Sequence, residues 1–362
     1  MTEYLNVRRI LVIKLRHIGD VLLTVPVFRA LRERFPDAEI SALVNAGTEA
    51  MLSGNPLVDE VIVFDRKIKK KSFLVRIARE QAFIGSIRKR RFDMVVDLTS
   101  GDRAALLSLL SGARYRLAYD PGSKGFPGKR RIYTHLGRRN HDTHTVLQNL
   151  DLLRQFGITT ADTSVTFPLS DKEMASARRL FAESGIAPND SVVHVHPTSR
   201  WLFKCWESAS VAEIIAWLLD KEIKVVLTSS PERKELKVID EVLGCLGERA
   251  HHKGFINLAG RTSLRELGAM AKLSTLFFGV DSAPMHIAAA VGTPVVALFG
   301  PTGEIHWRPW GEQHVVVSAN LPCKPCRKGS CEGDSIRECL RAIAINDVKA
   351  SIEAVLERTR GV

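Results

Sequence analysis

Short apolar runs alternate with amphipathic stretches along most of the chain. The run Ile10 to Leu15 (ILVIKL) reads as a buried strand, and apolar residues then recur at helical spacing over 20–34. The same half predicts strands at 38–44, 59–65, 92–98 and 114–119, and helices near 48–53, at 72–90 and at 102–112. Because buried strands separated by helices form parallel sheets with right-handed crossovers, this half predicts a doubly wound α/β domain.

The alternation starts again after residues 166–186. Strands are predicted at 190–197, 223–230, 274–282 and 294–300, and helices at 206–221 and 231–243. The pattern therefore predicts two such domains, 1–170 and 171–345, with a cleft between them. A terminal helix is predicted at 346–359 with Asn346 as its cap, and we expect the segment 346–362 to pack toward the N-terminal domain.

Positive charge is concentrated in the first domain. Residues 1–170 hold 28 Lys and Arg against 17 Asp and Glu, whereas residues 171–362 hold 24 against 23. The excess includes the runs RKIKKK (66–71), RKRR (88–91) and GKRR (128–131). Each run alone is typical of a solvated surface, but their shared location indicates an anionic partner, which can be a membrane surface, a phosphorylated substrate or nucleic acid. No zinc-finger spacing or RNA-recognition signature supports the last.

The composition excludes several other classes of protein. The chain has 362 residues, 45% of them apolar, and no apolar run long enough to cross a bilayer. The N-terminal residues MTEYLNVRRI lack the apolar region of a secretory signal, so we expect a cytoplasmic location. Six cysteines in a chain of this length do not indicate a fold built on disulfides.

The loop after the first strand, RHIGD (16–20), carries polar groups at a strand end. Gly19 suits a tight turn or the close approach of a ligand, and Asp20 falls at or near a helix N-cap. Taken alone, Asp20 is better explained as a capping residue than as a catalytic one.

Two loops of the second domain suit a phosphate or diphosphate. Thr198, Ser199, Arg200 and Lys204 gather hydroxyls and cations after the strand 190–197. In FFGVDSAPMHIAAA (277–290), Asp281 and Ser282 precede a helix of small residues whose free N–H groups can bind an anion. Polar, solvated loops and a buried core histidine at His286 are the alternatives. We expect both loops to lie on one edge of the same sheet.

Four cysteines near the C-terminus have the spacing C-x2-C-x4-C-x7-C, at Cys323, Cys326, Cys331 and Cys339. The spacing is compatible with zinc or an iron–sulfur cluster but matches no standard finger, so reduced thiols, or a local disulfide on oxidation, are the preferred interpretation. Cys205 and Cys245 look like packing residues.

These motifs together resemble glycosyltransferase family 9, the ADP-heptose:lipopolysaccharide heptosyltransferases, and within it the heptosyltransferase III type. The resemblance runs from about residue 8 to 345. It is carried by residues 10–40, 98–120, 144–153, 194–206, 279–302 and 323–333.

The resemblance implies a GT-B fold, two Rossmann-like domains facing a cleft, and an inverting transfer without a metal or other cofactor. It implies that Asp20, which closes a K-x-x-x-x-G-D motif, is the catalytic base. An ADP-heptose donor is expected on the second domain. The residues expected to bind it are Thr198, Ser199, Arg200, Lys204, Glu232, Asp281, Ser282, Ala283 and His286.

The resemblance also implies a phosphorylated lipid A–core acceptor on the first domain. The residues expected to bind it are Arg16, His17, Gly19, Lys69, Lys70 and Lys71. We therefore expect a cytoplasmic enzyme bound peripherally to the inner membrane, with no nucleic-acid partner. Two other classes stay open: a sugar-nucleotide epimerase of the same architecture, and a non-catalytic basic protein that binds nucleic acid or membrane.

Overall fold

The computed structural model describes residues 4–65, 73–326, 331 and 337–360. Contacts within the chain divide it into two units, Met1–Val165 and Thr166–Val362. This division falls five residues before the boundary that the sequence suggested. Among the described residues, no helix combines the length and the apolar character that a membrane span requires.

The first unit is built from alternating strands and helices. In chain order they are β1 (Arg9–Lys14), α1 (Ile18–Leu22), α2 (Val25–Arg34), β2 (Glu39–Asn45), β3 (Glu60–Phe64), α3 (Phe73–Lys89), β4 (Met94–Asp97), α4 (Asp102–Leu110), β5 (Tyr115–Tyr119), α5 (Lys129–Ile132), β6 (His135–Gly137) and α6 (Thr145–Arg154). A single 3₁₀ turn, Glu49–Met51, stands where a short helix was predicted near 48–53.

The strands of this unit form one parallel sheet in the order β3-β2-β1-β4-β5-β6. Ile10 to Lys14 of β1 are all buried, as are all four residues of β4, which explains why these strands read as continuous apolar runs. The predicted parallel sheet is therefore confirmed.

The helix predicted over 20–34 is interrupted. It forms as α1 and α2, with a break at Leu23 and Thr24. Pro26 lies in the first turn of α2 and has no N–H to donate to the carbonyl of Leu22. In a continuous helix that hydrogen bond would be missing, and the proline ring would clash with the Leu22 carbonyl. The first helix consequently ends at Leu22, two residues after Asp20.

The second unit repeats the pattern. Its elements are α7 (Asp171–Glu183), β7 (Val192–His196), α8 (Ser208–Asp220), β8 (Lys224–Leu227), α9 (Arg233–Leu246), β9 (Phe255–Asn257), α10 (Leu264–Leu273), β10 (Leu276–Val280), α11 (Ala283–Ala290), β11 (Val295–Phe299), α12 (Glu304–Trp307), β12 (Val315–Ser318), α13 (Glu338–Arg341) and α14 (Ile345–Arg360). Its parallel sheet has the order β12-β11-β10-β7-β8-β9.

The terminal helix α14 belongs to the second unit. Val348, Ile352, Val355 and Leu356 are buried in the same apolar cluster as residues of β7, β8, β10 and β11. The apolar face of α14 is thus covered by the second sheet. The expectation that this segment packs toward the N-terminal domain stays a prediction. The helix begins at Ile345, so Asn346 lies inside it and is not its cap.

Candidate active site

Both sheets have a point at which the strand order reverses. The chain places β2 and then β3 on one side of β1, and returns to place β4 on the other side. In the second sheet, β8 and β9 lie on one side of β7, and β10 lies on the other. Ligands of such sheets bind beyond the carboxyl ends of the strands at this switch point. The candidate loop after β1 lies at the switch point of the first sheet, and those after β7 and β10 lie at the switch point of the second.

The loop after β1 is held across the first switch point by Thr99, which follows β4. The Leu15 N–H donates to Thr99 Oγ1 at 2.8 Å, and the Arg16 guanidinium donates to the Thr99 carbonyl at 3.1 Å. From the other side, the Asn45 amide donates to the Arg16 carbonyl at 3.0 Å. These bonds fix the start of α1.

Asp20 is the third residue of α1 and is half-buried. Its Oδ2 accepts a hydrogen bond from the backbone N–H of His17, the N-cap, at 3.3 Å. The predicted capping contact of Asp20 is therefore present, and it uses only the Oδ2 oxygen of the carboxylate. Gly19 lies within α1, so the tight turn expected there is absent; its role in admitting a ligand stays a prediction.

A buried lysine, which the sequence interpretation did not single out, lies beside this loop. Lys14, the last residue of β1, is 6% exposed, and its ammonium donates to the Leu98 carbonyl at 3.3 Å and to Asn149 Oδ1 at 3.2 Å. Burial lowers the pKa of Lys14 to about 8, and the nearby Asp20 carboxylate opposes that shift. A strand-end lysine in a K-x-x-x-x-G-D motif was the available signal.

The remaining acceptor candidates differ in their surroundings. Arg16 is exposed and lines a cavity of about 340 Å³ at the carboxyl edge of the first sheet, together with Asn45, Thr99 and Arg103. His17 is exposed. Lys69, Lys70 and Lys71 lie outside the described residues.

The second switch point joins two of the predicted donor residues directly. Lys204 Nζ lies 2.7 Å from Asp281 Oδ2, and the same oxygen accepts a bond from Thr302 Oγ1 at 2.6 Å. Asp281 is buried and Lys204 is half-buried. Thr302 follows β11, the next strand of the sheet, and sequence reasoning missed it because a single threonine in a polar loop gives no signal of its own.

The loop after β7 places its hydroxyls at the same edge. Thr198 and Ser199 are buried, and Thr198 Oγ1 donates to Glu235 Oε2 at 2.8 Å. Arg200 is exposed. The acidic residue that faces this loop is therefore the buried Glu235, on the first turn of α9, whereas Glu232 is the exposed N-cap of that helix. The predicted contact between Glu232 and a ribose stays untested.

Helix α11 starts at the edge of the sheet with free backbone donors. Ser282 is its N-cap, Ala283 its first residue and Pro284 lies in the first turn. The Ser282 hydroxyl is buried and has no hydrogen-bond partner among the described residues. His286 lies buried on the second turn. A helix N-terminus with an additional unsatisfied hydroxyl is suited to an anionic ligand.

Two histidines lie beneath the loop after β7. His194 Nε2 and His196 Nδ1 both lie within 2.9 Å of Thr228 Oγ1. Burial lowers the pKa of each imidazole to about 3, so both are neutral at physiological pH. Their contacts place them in the core of the sheet rather than in the chemistry at its edge.

The C-terminal cysteines are free thiols in the structure. Cys339 is buried and burial raises its pKa, and Cys323, Cys326 and Cys331 are near enough to raise it further. No cluster of three or more His, Cys, Asp or Glu side chains in the described part of the chain is arranged to hold a metal ion. Cys205 is buried as expected, but Cys245 is exposed, so it is not a core residue.

The strand order 3-2-1-4-5-6 in each sheet, with anion-suited loops at the carboxyl ends of the second, defines an α/β protein with the GT-B fold. The sequence profile of glycosyltransferase family 9 (heptosyltransferase) matches residues 81–336. The chain is 35% identical over 344 residues to lipopolysaccharide heptosyltransferase 3 of Escherichia coli (strain K12), covering 94% of this chain and 96% of that protein.

Solved structures agree on the fold. A family 9 glycosyl transferase from Veillonella parvula superposes with a TM-score of 0.82 at 22% identity, covering 98% of this chain and 99% of that one. The ADP-heptose lipopolysaccharide heptosyltransferase II of E. coli gives 0.77 at 22% identity, covering 97% and 99%. This chain belongs to glycosyltransferase family 9.

Proposed function

We propose that this chain transfers heptose from ADP-heptose to the phosphorylated inner core of lipopolysaccharide, with inversion at the anomeric carbon. The observation that carries the proposal is its 35% identity, over 94% of its length, to lipopolysaccharide heptosyltransferase 3 of E. coli. Family membership does not favour the epimerase or the non-catalytic basic protein.

The donor's diphosphate is assigned to the carboxyl edge of the second sheet. Lys204 supplies a cation whose direction is fixed by Asp281. An ammonium has three donors, so it can bind phosphate oxygens while it keeps the bond to Asp281. The N-terminus of α11 and the Ser282 hydroxyl add donors that need no metal to neutralise the leaving ADP.

Asp20 is assigned the role of general base. It accepts the proton of the acceptor hydroxyl while that oxygen bonds to the anomeric carbon; the bond from this carbon to the ADP oxygen breaks, and ADP leaves with the electron pair. The capping bond from His17 holds one carboxylate oxygen, and we assign the other to the acceptor hydroxyl. No cofactor takes part in this scheme.

A peripheral site on the anionic cytoplasmic face of the inner membrane suits the lipid-linked acceptor. On α3, the apolar side chains of Val75 and Ile77 are exposed beside Arg79, and on α4 Leu106 and Leu109 are exposed. Apolar side chains mixed with cations favour an anionic lipid surface over nucleic acid.

The test is to incubate the protein with ADP-heptose, other ADP-sugars and UDP-sugars, each with core-truncated lipopolysaccharide, and to analyse the products by mass spectrometry. We expect addition of one heptosyl residue from ADP-heptose and loss of this product when the acceptor is dephosphorylated. Transfer of a different sugar would overturn the donor assignment, and epimerised sugar nucleotide without transfer would overturn the proposal.

A further inference from the structure

We propose that Lys14 is a positioning residue for Asp20. It acts through Asn149 of α6, which in turn holds α1, the helix that carries the Asp20 carboxylate. The inference rests on the proposed function, because the position of Asp20 matters to turnover only if Asp20 acts in the transfer.

A continuous hydrogen-bonded path joins the two residues. Lys14 Nζ donates to Asn149 Oδ1 at 3.2 Å, and Asn149 Nδ2 donates to the carbonyl of Leu23 at 3.2 Å. Leu23 is the C-cap of α1, and its N–H donates to the carbonyl of Gly19, the neighbour of Asp20, at 3.0 Å. The end of the short helix is therefore tied to the end of β1 through a side chain of α6.

The charge on Lys14 fixes the direction of this path. An ammonium only donates hydrogen bonds, so Asn149 must turn its carbonyl oxygen toward Lys14 and its NH₂ toward Leu23. A neutral amine can also accept, and an apolar side chain does neither, so each would permit the reversed amide, which cannot donate to Leu23. The protonated lysine thus selects the one orientation that holds α1.

Lys14 is an unusual charge in purely structural terms. It is almost completely buried, yet its two hydrogen-bond partners are neutral oxygens. Burying an ammonium without a carboxylate in direct contact is costly, and an apolar side chain of similar length would fill the same space. A buried charge with a perturbed pKa beside a candidate catalytic group points to a functional role.

The charges around Lys14 come from three directions. Asp20 and Arg16 follow β1, Asp97 ends β4, and Arg139 follows β6. Helix α6 faces it with the neutral Asn149. The two carboxylates favour its protonated form, and the two guanidinium groups oppose it. Removing one of these charges should move its titration in a known direction.

The experiment measures kcat against pH for the wild type and for K14M, N149L, R139Q and R138Q. The kcat of the wild type should fall above about pH 8, as Lys14 loses its proton, and this fall is the alkaline limb of the pH profile. In K14M and N149L we expect kcat at least about tenfold lower, because small misplacements of catalytic groups have such effects, with no alkaline limb and with a donor KM close to wild type.

The arginine pair tests the inference without disturbing the core. Arg139 lowers the pKa of Lys14, so R139Q should move the alkaline limb to higher pH. Arg138 is its neighbour in the chain and is not among the charges that shift the pKa of Lys14, so R138Q should leave the limb in place. If K14M cannot be purified folded, this pair alone decides. A limb that stays at the same pH in R139Q, or a K14M enzyme with wild-type kcat, overturns the inference.

Failure of the proposed function is recognised separately. If the wild type transfers no heptose, the function is wrong, and hydrogen exchange in α1 still tests the path. We expect protection of residues 18–23, relative to other helices, to fall as pH passes about 8 in the wild type and to be low at every pH in K14M. Equal protection in both proteins overturns the inference.

Discussion

Lys204 and Asp281 form an ion pair across the switch point of the second sheet, with 2.7 Å between Nζ and Oδ2. The two residues are 77 positions apart in the chain and follow neighbouring strands, β7 and β10. Thr302 supports the carboxylate from a third strand. A cation held in this way is oriented before any ligand arrives, which lowers the entropy lost when a phosphate binds.

The first prediction concerns the donor. Replacing Lys204 with alanine removes a charge-assisted bond to phosphate, so the Kd for ADP should rise at least about tenfold. The Kd for adenosine, which has no phosphate, should stay within about threefold. Calorimetry with both ligands checks this, and Lys237→Ala, an exposed lysine of α9, is the control. Equal losses for ADP and adenosine would remove Lys204 from the diphosphate site.

The second prediction concerns the buried bond between Thr198 and Glu235. Thr198→Val keeps the shape but leaves a buried carboxylate without its donor, which should cost about 1–3 kcal/mol of unfolding free energy. Thr160 makes the same kind of bond to Glu33 in an exposed setting, so Thr160→Val should change stability by less than about 0.5 kcal/mol. Urea denaturation of both variants distinguishes them, and similar losses would contradict the burial argument.

The third prediction concerns the pH dependence of stability. The pKa of Lys14 is about 8 in the folded protein, below its ordinary value of 10.5, so the unfolded chain binds more protons between these pH values. Its contribution to stability is therefore fully present above pH 10.5 and is lost as pH falls through 8.

Between pH 8 and 9.5 this group should add on average about 1 kcal/mol of unfolding free energy per pH unit. Lys14→Met should lack this slope, and subtracting the two denaturation curves removes the contribution of every other group. Parallel curves for the two proteins would show that Lys14 is not buried as a charge.

Hydrophobic periodicity in the sequence predicts the strands and helices, but not the contacts between side chains of distant elements. Periodicity located β1, β4, β7 and β10, and since parallel strands share an edge for their carboxyl ends, it also predicted that the loops at Thr198 and Asp281 lie together. The edge strands β6, β9 and β12 were missed. β6 and β9 have three residues each, too few to show a period, and β12 is four residues long and only half-buried, unlike the fully buried β4.

Local sequence patterns could not predict contacts between residues that are far apart in the chain. Lys14 and Asn149 are 135 positions apart, and nothing in the sequence around either residue indicates that the other is its partner. The acid that faces Thr198 is Glu235 rather than Glu232 because α9 begins at Arg233, and helix ends are poorly defined by sequence. The break before α2 was readable in principle from Pro26.

The fourth prediction concerns the basic run of the first half. Replacing Lys69, Lys70 and Lys71 with glutamine should raise the KM for the anionic acceptor and flatten its dependence on salt, because screened attraction is lost. The KM for the donor should not change. Initial rates over a range of ionic strength test this, and an unaltered acceptor KM at low salt would assign these lysines to the solvated surface.

The most direct test of the account is the turnover of Asp20→Asn. Asparagine keeps the shape of the side chain and its ability to accept the His17 N–H, so the helix should remain capped. A positioned base contributes about 10²–10⁴-fold in rate, so kcat should fall at least about 100-fold, while the melting temperature and the Kd for ADP stay close to wild type. A variant with near-normal kcat would contradict the assignment of Asp20 as the base, and Asp281 would be the next carboxylate to test.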